Sequence, residues 1–158
     1  MYNLKSRNGT FKGMIGECMF KLTRRYFILC KFFNLKKYLS LFENRFSTEQ
    51  INFLKENWFS LDGIEFDYSL GKPQAVLTEI KTMNEQINPK ANWMPSMSYS
   101  SYTIYKKALE LGFSVKMAIV WLYDNWDYDI EIKDFKSLIP YEDYYIDKNA
   151  KYDKKQQG

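Results

Sequence analysis

Apolar residues at Ile15, Met19, Leu22, Tyr26, Cys30 and Phe33 recur at near-helical spacing, so residues 11–33 predict a long first helix. Residues 1–10 before it are polar and predict a frayed start. Residues 34–43 lean toward a strand. Ser47, with Gln50 three residues on, has the pattern of a capped helix start, and that helix runs to about Asn57. Two strand-like runs, 63–70 and 74–82, flank Ser69-Leu70-Gly71-Lys72-Pro73 and predict a hairpin. Residues 84–97, holding Asn, Pro and Met, read as a loop. A second long helix over 98–111 is closed by Gly112. Residues 113–123, with Val115, Met117, Ile119 and Trp121 alternating, predict a strand, and Asp124-Asn125 turns the chain into another over 127–133. The order is helix, short helix, strand, strand, helix, strand, strand. It implies a mixed α/β architecture, a central mixed sheet flanked by helices, as one domain over residues 1–147. Residues 148–158 read as a disordered charged tail.

Composition narrows the chemistry more than the fold. With 158 residues, 46% hydrophobic and 27% charged, the chain can bury a proper core. A net charge of +4 mildly favours a polyanionic partner. Aromatic residues make up 18%, enough to supply packing and leave a few rings for base stacking, although Trp93, Tyr99 and Trp126 read as packing. Histidine is absent, which excludes Ser-His-Asp and Cys-His catalysis and every His-ligated zinc site. Catalysis would have to use carboxylates, lysine, tyrosine or metal-bound water. Cys18 and Cys30, placed on one helix, would lie roughly 18 Å apart along its axis, too far for a disulfide. The start lacks the order of a signal peptide, and Lys21, Arg24 and Arg25 interrupt the apolar stretch 14–33, so the expectation is an intracellular, cytoplasmic protein that spans no membrane.

One strand carries an anomaly. In Gln74-Ala75-Val76-Leu77-Thr78-Glu79-Ile80-Lys81-Thr82 a carboxylate and an ammonium sit inside an apolar run. Buried charge is unfavourable unless it is paired or binds a metal. Residues two apart on a strand share a face, so Glu79 and Lys81 project together with Leu77. Across the hairpin, Asp67 is a candidate neighbour for Glu79; Asp62 and Glu65 are its rivals, because the register is open. Two carboxylates converging with one lysine suit a hard divalent cation, normally magnesium. Such an ion polarises a phosphodiester and lowers the pKa of bound water, while lysine offsets developing charge.

Asp67 followed by Glu79-Ile80-Lys81 resembles the D…(D/E)xK motif of the restriction-endonuclease-like nuclease superfamily. Gly16-Glu17 on the first helix is similar to the helix-borne glutamate that many members place near the metal, archaeal Holliday junction resolvases among them. The order of elements also resembles the αβββαβ core of that superfamily, over roughly residues 12–123. The resemblance implies Asp67 and Glu79 as ligands of magnesium, with manganese as a substitute, Lys81 as the catalytic lysine and Glu17 as an accessory group. It implies metal-dependent hydrolysis of DNA, and a homodimer where both strands are cut. The sequence departs from the pattern in two places: Phe66 rather than proline precedes Asp67, and Ser98 stands four before Tyr102 where the RecB-like branch has glutamine.

Other readings stay open. Acid-x-Lys triplets are weak alone, and Glu131-Ile132-Lys133, Asp134-Phe135-Lys136 and Asp153-Lys154-Lys155 are further ones. Glu131 has no upstream hairpin aspartate and reads as the solvated face of an edge strand. Glu79 and Lys81 could form only a surface ion pair. Lys106 and Lys107 on the second helix, and Arg24 and Arg25 on the first, are candidates for contacts to the DNA backbone or for solvated helix faces. The alternative function is a non-catalytic DNA-binding or assembly protein that keeps the fold with a degenerate site.

Overall fold

The computed structural model describes residues 9–42, 45–67, 71, 74–84, 97–142 and 146–147. The charged tail 148–158, the start up to residue 8, most of the 84–97 loop with Trp93, and most of the hairpin turn lie outside the described residues. Helices are α1 (Gly9–Thr23), α2 (Leu35–Phe42), α3 (Thr48–Asn57) and α4 (Tyr99–Glu110). Strands are β1 (Phe27–Leu29), β2 (Gly63–Asp67), β3 (Gln74–Asn84), β4 (Met97–Ser98), β5 (Ser114–Leu122), β6 (Tyr128–Asp134) and β7 (Ile146–Asp147). Short 3-10 turns cover Cys30–Phe32, Trp58–Ser60 and Phe135–Tyr141.

Five strands form a mixed sheet in the order β1-β2-β3-β5-β6. β1, β2 and β3 pair antiparallel, β3 and β5 pair parallel, and β6 returns antiparallel to β5. The parallel pair needs a crossover, and α4 supplies it. β4 and β7 make a separate parallel pair of two residues each.

Strand periodicity divides the core into two layers. Leu77 on β3 with Val115, Met117, Ile119 and Trp121 on β5 face α3 and α4, packing against Tyr102, Tyr105 and Phe53. Ile80 with Ala118, Val120 and Leu122 faces the other way, against Phe20 and Ile15 of α1. Helix α1 lies close on this side: a Cβ on Gly16 would fall 1.8 Å from Thr82 Oγ1.

Local signals explain the helix ends. Ser47 and Gln50 form the full capping box at α3, each side chain bonded to the other's backbone amide. Ser98 caps α4 through the amide of Ser101, and Gly112 leaves it with φ of 93°.

Two expectations need correction. The first helix does not run to residue 33; it ends at Thr23, and Phe27–Leu29 becomes β1. Tyr26-Phe27-Ile28 is an aromatic and β-branched run suited to a strand. Pairing with β2 and the edge-to-face contact of Phe27 with Phe20, at 4.9 Å, hold it there. Cys30 therefore lies beyond β1 rather than on α1, and both cysteines are free. Residues 34–43 are not a strand, because Leu35–Phe42 is helix α2. Asn34 Oδ1 accepts from the amide of Lys36 at 2.9 Å, which starts the turn, and Leu35 and Leu39 share the inward face beside Leu54 and Trp58.

β1 can approach β2 only because residue 63 is glycine: a Cβ there would stand 2.0 Å from Phe27 Cζ and 2.8 Å from the Ile28 carbonyl oxygen. Gly63→Ala should therefore destabilise the fold by about 1–3 kcal/mol, read as a lower midpoint in urea. An unchanged midpoint would show that β1 is free to move aside.

Candidate functional site

The charges of β3 meet their partners on the α4 side of the sheet. Lys81 Nζ lies 3.6 Å from Glu79 Oε1, as the two-residue period requires. Glu79 is 0% exposed, and the Lys81 side chain keeps 20% of its surface. From α4, the hydroxyl of fully buried Tyr105 donates to Glu79 Oε2.

The second carboxylate is Asp62. β2 starts at Gly63, opposite Thr78, so the next outward-facing amide of β3 on that side reaches past the end of the paired strand. Asp62 Oδ2 accepts from that amide, Ile80 N–H, at 2.7 Å. The Asp62 carbonyl in turn accepts from Cys30 N–H at 3.0 Å, tying the residue to the end of β1. Asp62 is buried at the point where β1, β2 and β3 meet.

Neighbouring ionisable groups register both carboxylates. Burial first, then the charges of Glu79 and Asp62 and the hydrogen bond to Glu79, push the Tyr105 phenol well above its usual range. Burial, then the charge of Asp62, pushes the Cys30 thiol up as well. Tyr105 therefore stays protonated and acts as a donor, and Cys30 stays a thiol and not a nucleophile.

The remaining expected site residues fall elsewhere. Asp67 pairs with Gln74 at the far end of the hairpin, so it does not stand beside Glu79; the register, not the spacing, decides this. Glu65 points to the α1 side, where Arg24 binds it through Nε at 3.1 Å and Nη2 at 2.6 Å. The Arg24 guanidinium, expected as a DNA contact, is thus engaged in an ion pair that joins the end of α1 to β2. Glu17 is buried on α1 and lies 2.6 Å from Lys31 Nζ; it is paired there rather than gathered with Asp62 and Glu79. Arg25 is exposed, its guanidinium 5.5 Å from the Tyr26 ring. Lys106 lies 5.7 Å from the Tyr102 ring, and Lys107 pairs with Glu110 at 3.8 Å on the outer face of α4. The rival Glu131 accepts from Trp121 Nε1 at 3.0 Å and lies 3.8 Å from Lys133.

Tyr105 is the member that sequence reasoning missed. Nothing local marks it, since only the α4 crossover brings it to a residue 26 positions earlier. Among the described residues no three His, Cys, Asp or Glu side chains gather into a ready-made cation cage. No helix among them is long and apolar enough to cross a membrane. Comparisons with family models, curated proteins and solved structures return no match.

Tyr105→Phe removes a donor from a buried carboxylate and should destabilise the protein by about 1.5–3 kcal/mol at neutral pH. A phenol whose pKa is raised by folding contributes stability that is complete below its usual value of 10.0 and is lost as pH rises beyond it. The decline in stability above that pH should accordingly be shallower in Tyr105→Phe, measured by urea unfolding across the alkaline range. An equally steep decline would show that Tyr105 titrates normally in the fold.

Proposed function

We propose that the protein is a metal-dependent deoxyribonuclease that hydrolyses phosphodiester bonds at a centre formed by Asp62, Glu79 and Lys81. One observation carries the reading: Asp62 is fastened to the Ile80 amide between Glu79 and Lys81, so two carboxylates and one lysine share a buried corner of the sheet. Two carboxyl groups beside one lysine offer the hard oxygen donors that a divalent ion takes. The topology supports the same reading. With α2 and α3, which stand between β1 and β2, and the short β4 set aside, helix α1, strands β1 to β3, helix α4 and the parallel strand β5 are similar in order to the αβββαβ core of restriction-endonuclease-like nucleases.

The donor set fits magnesium. That ion keeps several of its waters and takes one or two protein carboxylates, so it needs no cage of three. Asp62 and Glu79 would hold it, and manganese, which accepts the same hard oxygen ligands, would substitute. Bound there, the ion would lower the pKa of a coordinated water and offset charge on the phosphate. The protein's own groups divide the rest. Lys81, partly exposed, presents its ammonium to the charge that develops on the attacked phosphate. Tyr105 fixes the Glu79 carboxylate from behind and leaves its other oxygen toward Lys81.

A second reading has its own observation. Glu79 is fully enclosed, with Tyr105 on one oxygen and Lys81 near the other. A carboxylate so satisfied also suits a degenerate site in a non-catalytic DNA-binding protein.

Cleavage of supercoiled, linear and branched DNA with magnesium, manganese or EDTA separates the two. The nuclease reading requires metal-dependent cutting, reduced about 100-fold or more by Asp62→Asn, Glu79→Gln or Lys81→Ala. Asp67→Asn should cut like the wild type. DNA binding without metal-stimulated cutting by the wild-type protein would instead establish the degenerate site.

A further inference from the structure

The turns beside Asp62 expose a group of aromatic rings, and exposed lysines follow them in the chain. We propose that this surface binds an unpaired polynucleotide strand, so that the substrate of the neighbouring centre is DNA with a single-stranded segment. Phe59 is 88% exposed, Phe32 60% and Phe33 39%. Phe59 lies on the turn Trp58–Ser60; Phe32 and Phe33 lie on and just after the turn Cys30–Phe32. The two turns are joined, because Trp58 Nε1 donates to the Phe33 carbonyl at 3.1 Å. Both lead directly to Asp62: Cys30 N–H bonds its carbonyl at 3.0 Å, and Phe59 precedes it by three residues.

Charge identifies the ligand class. Residues 24–42 hold five lysines and arginines and no acid. Arg24 is bound to Glu65 and Lys31 to Glu17; Arg25 lies at the other end of β1, over the Tyr26 ring, and the exposed cations nearest the rings in the chain are Lys36 and Lys37. Lys36 and Lys37 lie in the first turn of α2, three and four residues after Phe33, and both are exposed. A polyanion is the matching partner. Cations alone would serve duplex DNA equally well, since they meet only phosphates. Exposed phenylalanines would find nothing to stack on along an intact duplex, whose base faces are covered. An unpaired strand presents those faces, and each base stacked on an aromatic ring contributes about 1–3 kcal/mol. Rings and cations together therefore select a single strand.

The inference rests on the nuclease reading for the identity of the reaction, but its test reads binding in EDTA and is independent of cutting. Fluorescence anisotropy with labelled oligo(dT), oligo(U) and a blunt duplex of matched charge is the measurement. Oligo(dT) should bind more tightly than the duplex. Phe59→Ala and Phe32→Ala should each weaken oligo(dT) binding roughly 5- to 100-fold and leave duplex binding unchanged. Lys36→Ala and Lys37→Ala should weaken all three probes and lower the salt dependence. Phe11→Ala, an exposed ring on α1, is the control and should change nothing. Oligo(U) bound as well as oligo(dT) would assign the surface to unpaired strands of either sugar, and weaker oligo(U) binding to DNA; both outcomes support the proposal. Unchanged oligo(dT) binding in Phe59→Ala and Phe32→Ala would overturn it and leave the rings to a protein partner, as would duplex binding equal to that of oligo(dT). Ring-dependent binding without metal-dependent cutting would refute the nuclease reading alone.

Discussion

The hydrogen bond from the Ile80 amide to Asp62 is the constraint on which the rest of the site depends. β3 is longer than β2, and its ladder with β2 ends at Gly63 and Thr78. An amide beyond that point needs an acceptor, because an unpaired buried N–H is as unfavourable as a lost hydrogen bond. The acceptor is the buried carboxyl group of Asp62, whose Oδ2 lies 2.7 Å from the amide nitrogen. Meeting the backbone requirement places a carboxylate next to Glu79, where the two anions would repel unless neighbours compensate. Tyr105 and Lys81 supply that compensation, and Tyr105 also ties α4 to the sheet. Tyr105 requires α4 to cross over β3 at this height, and that crossover makes β5 parallel.

Much of this was legible along the chain. The two-residue period placed Glu79 and Lys81 on one face without knowledge of any partner strand. Ser47 and Gln50 announced the start of α3, because a capping box is made within four consecutive residues. Register was not legible. Asp67, Glu65 and Asp62 were rivals because no two-residue turn signal fixes this hairpin, and a shift along β3 exchanges one acid for another. The pairing of Asp67 with Gln74 takes Asp67 away from Glu79, while Asp62 bonds the Ile80 amide beside it. The helix expected over 11–33 failed for a related reason. Tyr26, Cys30 and Phe33 have helical spacing, yet β2 offers Phe27–Leu29 a ladder, and tertiary pairing outweighs a local period. Arg24 could not be read as engaged, since its partner lies 41 residues away.

The two acid-x-Lys triplets on strands show how little such a sequence motif fixes by itself. In the structure they share one face of the sheet, separated only by β5. Glu79 aligns with Met117 and then Lys133, and Lys81 with Ile119 and then Glu131. Direction and depth separate them. Glu79 lies on a central strand between Asp62 and Tyr105, where desolvation makes every charge depend on its neighbours. Glu131 lies on the edge strand, half-buried, with an indole N–H and its own lysine, where water screens the pair and little depends on it. The same three-letter pattern is a half-buried ion pair at the rim and a fully buried group held by Tyr105 and Lys81 at the centre. What distinguishes them is the aspartate that β2 places at its entrance, and that aspartate is there because a strand longer than its partner needed an acceptor.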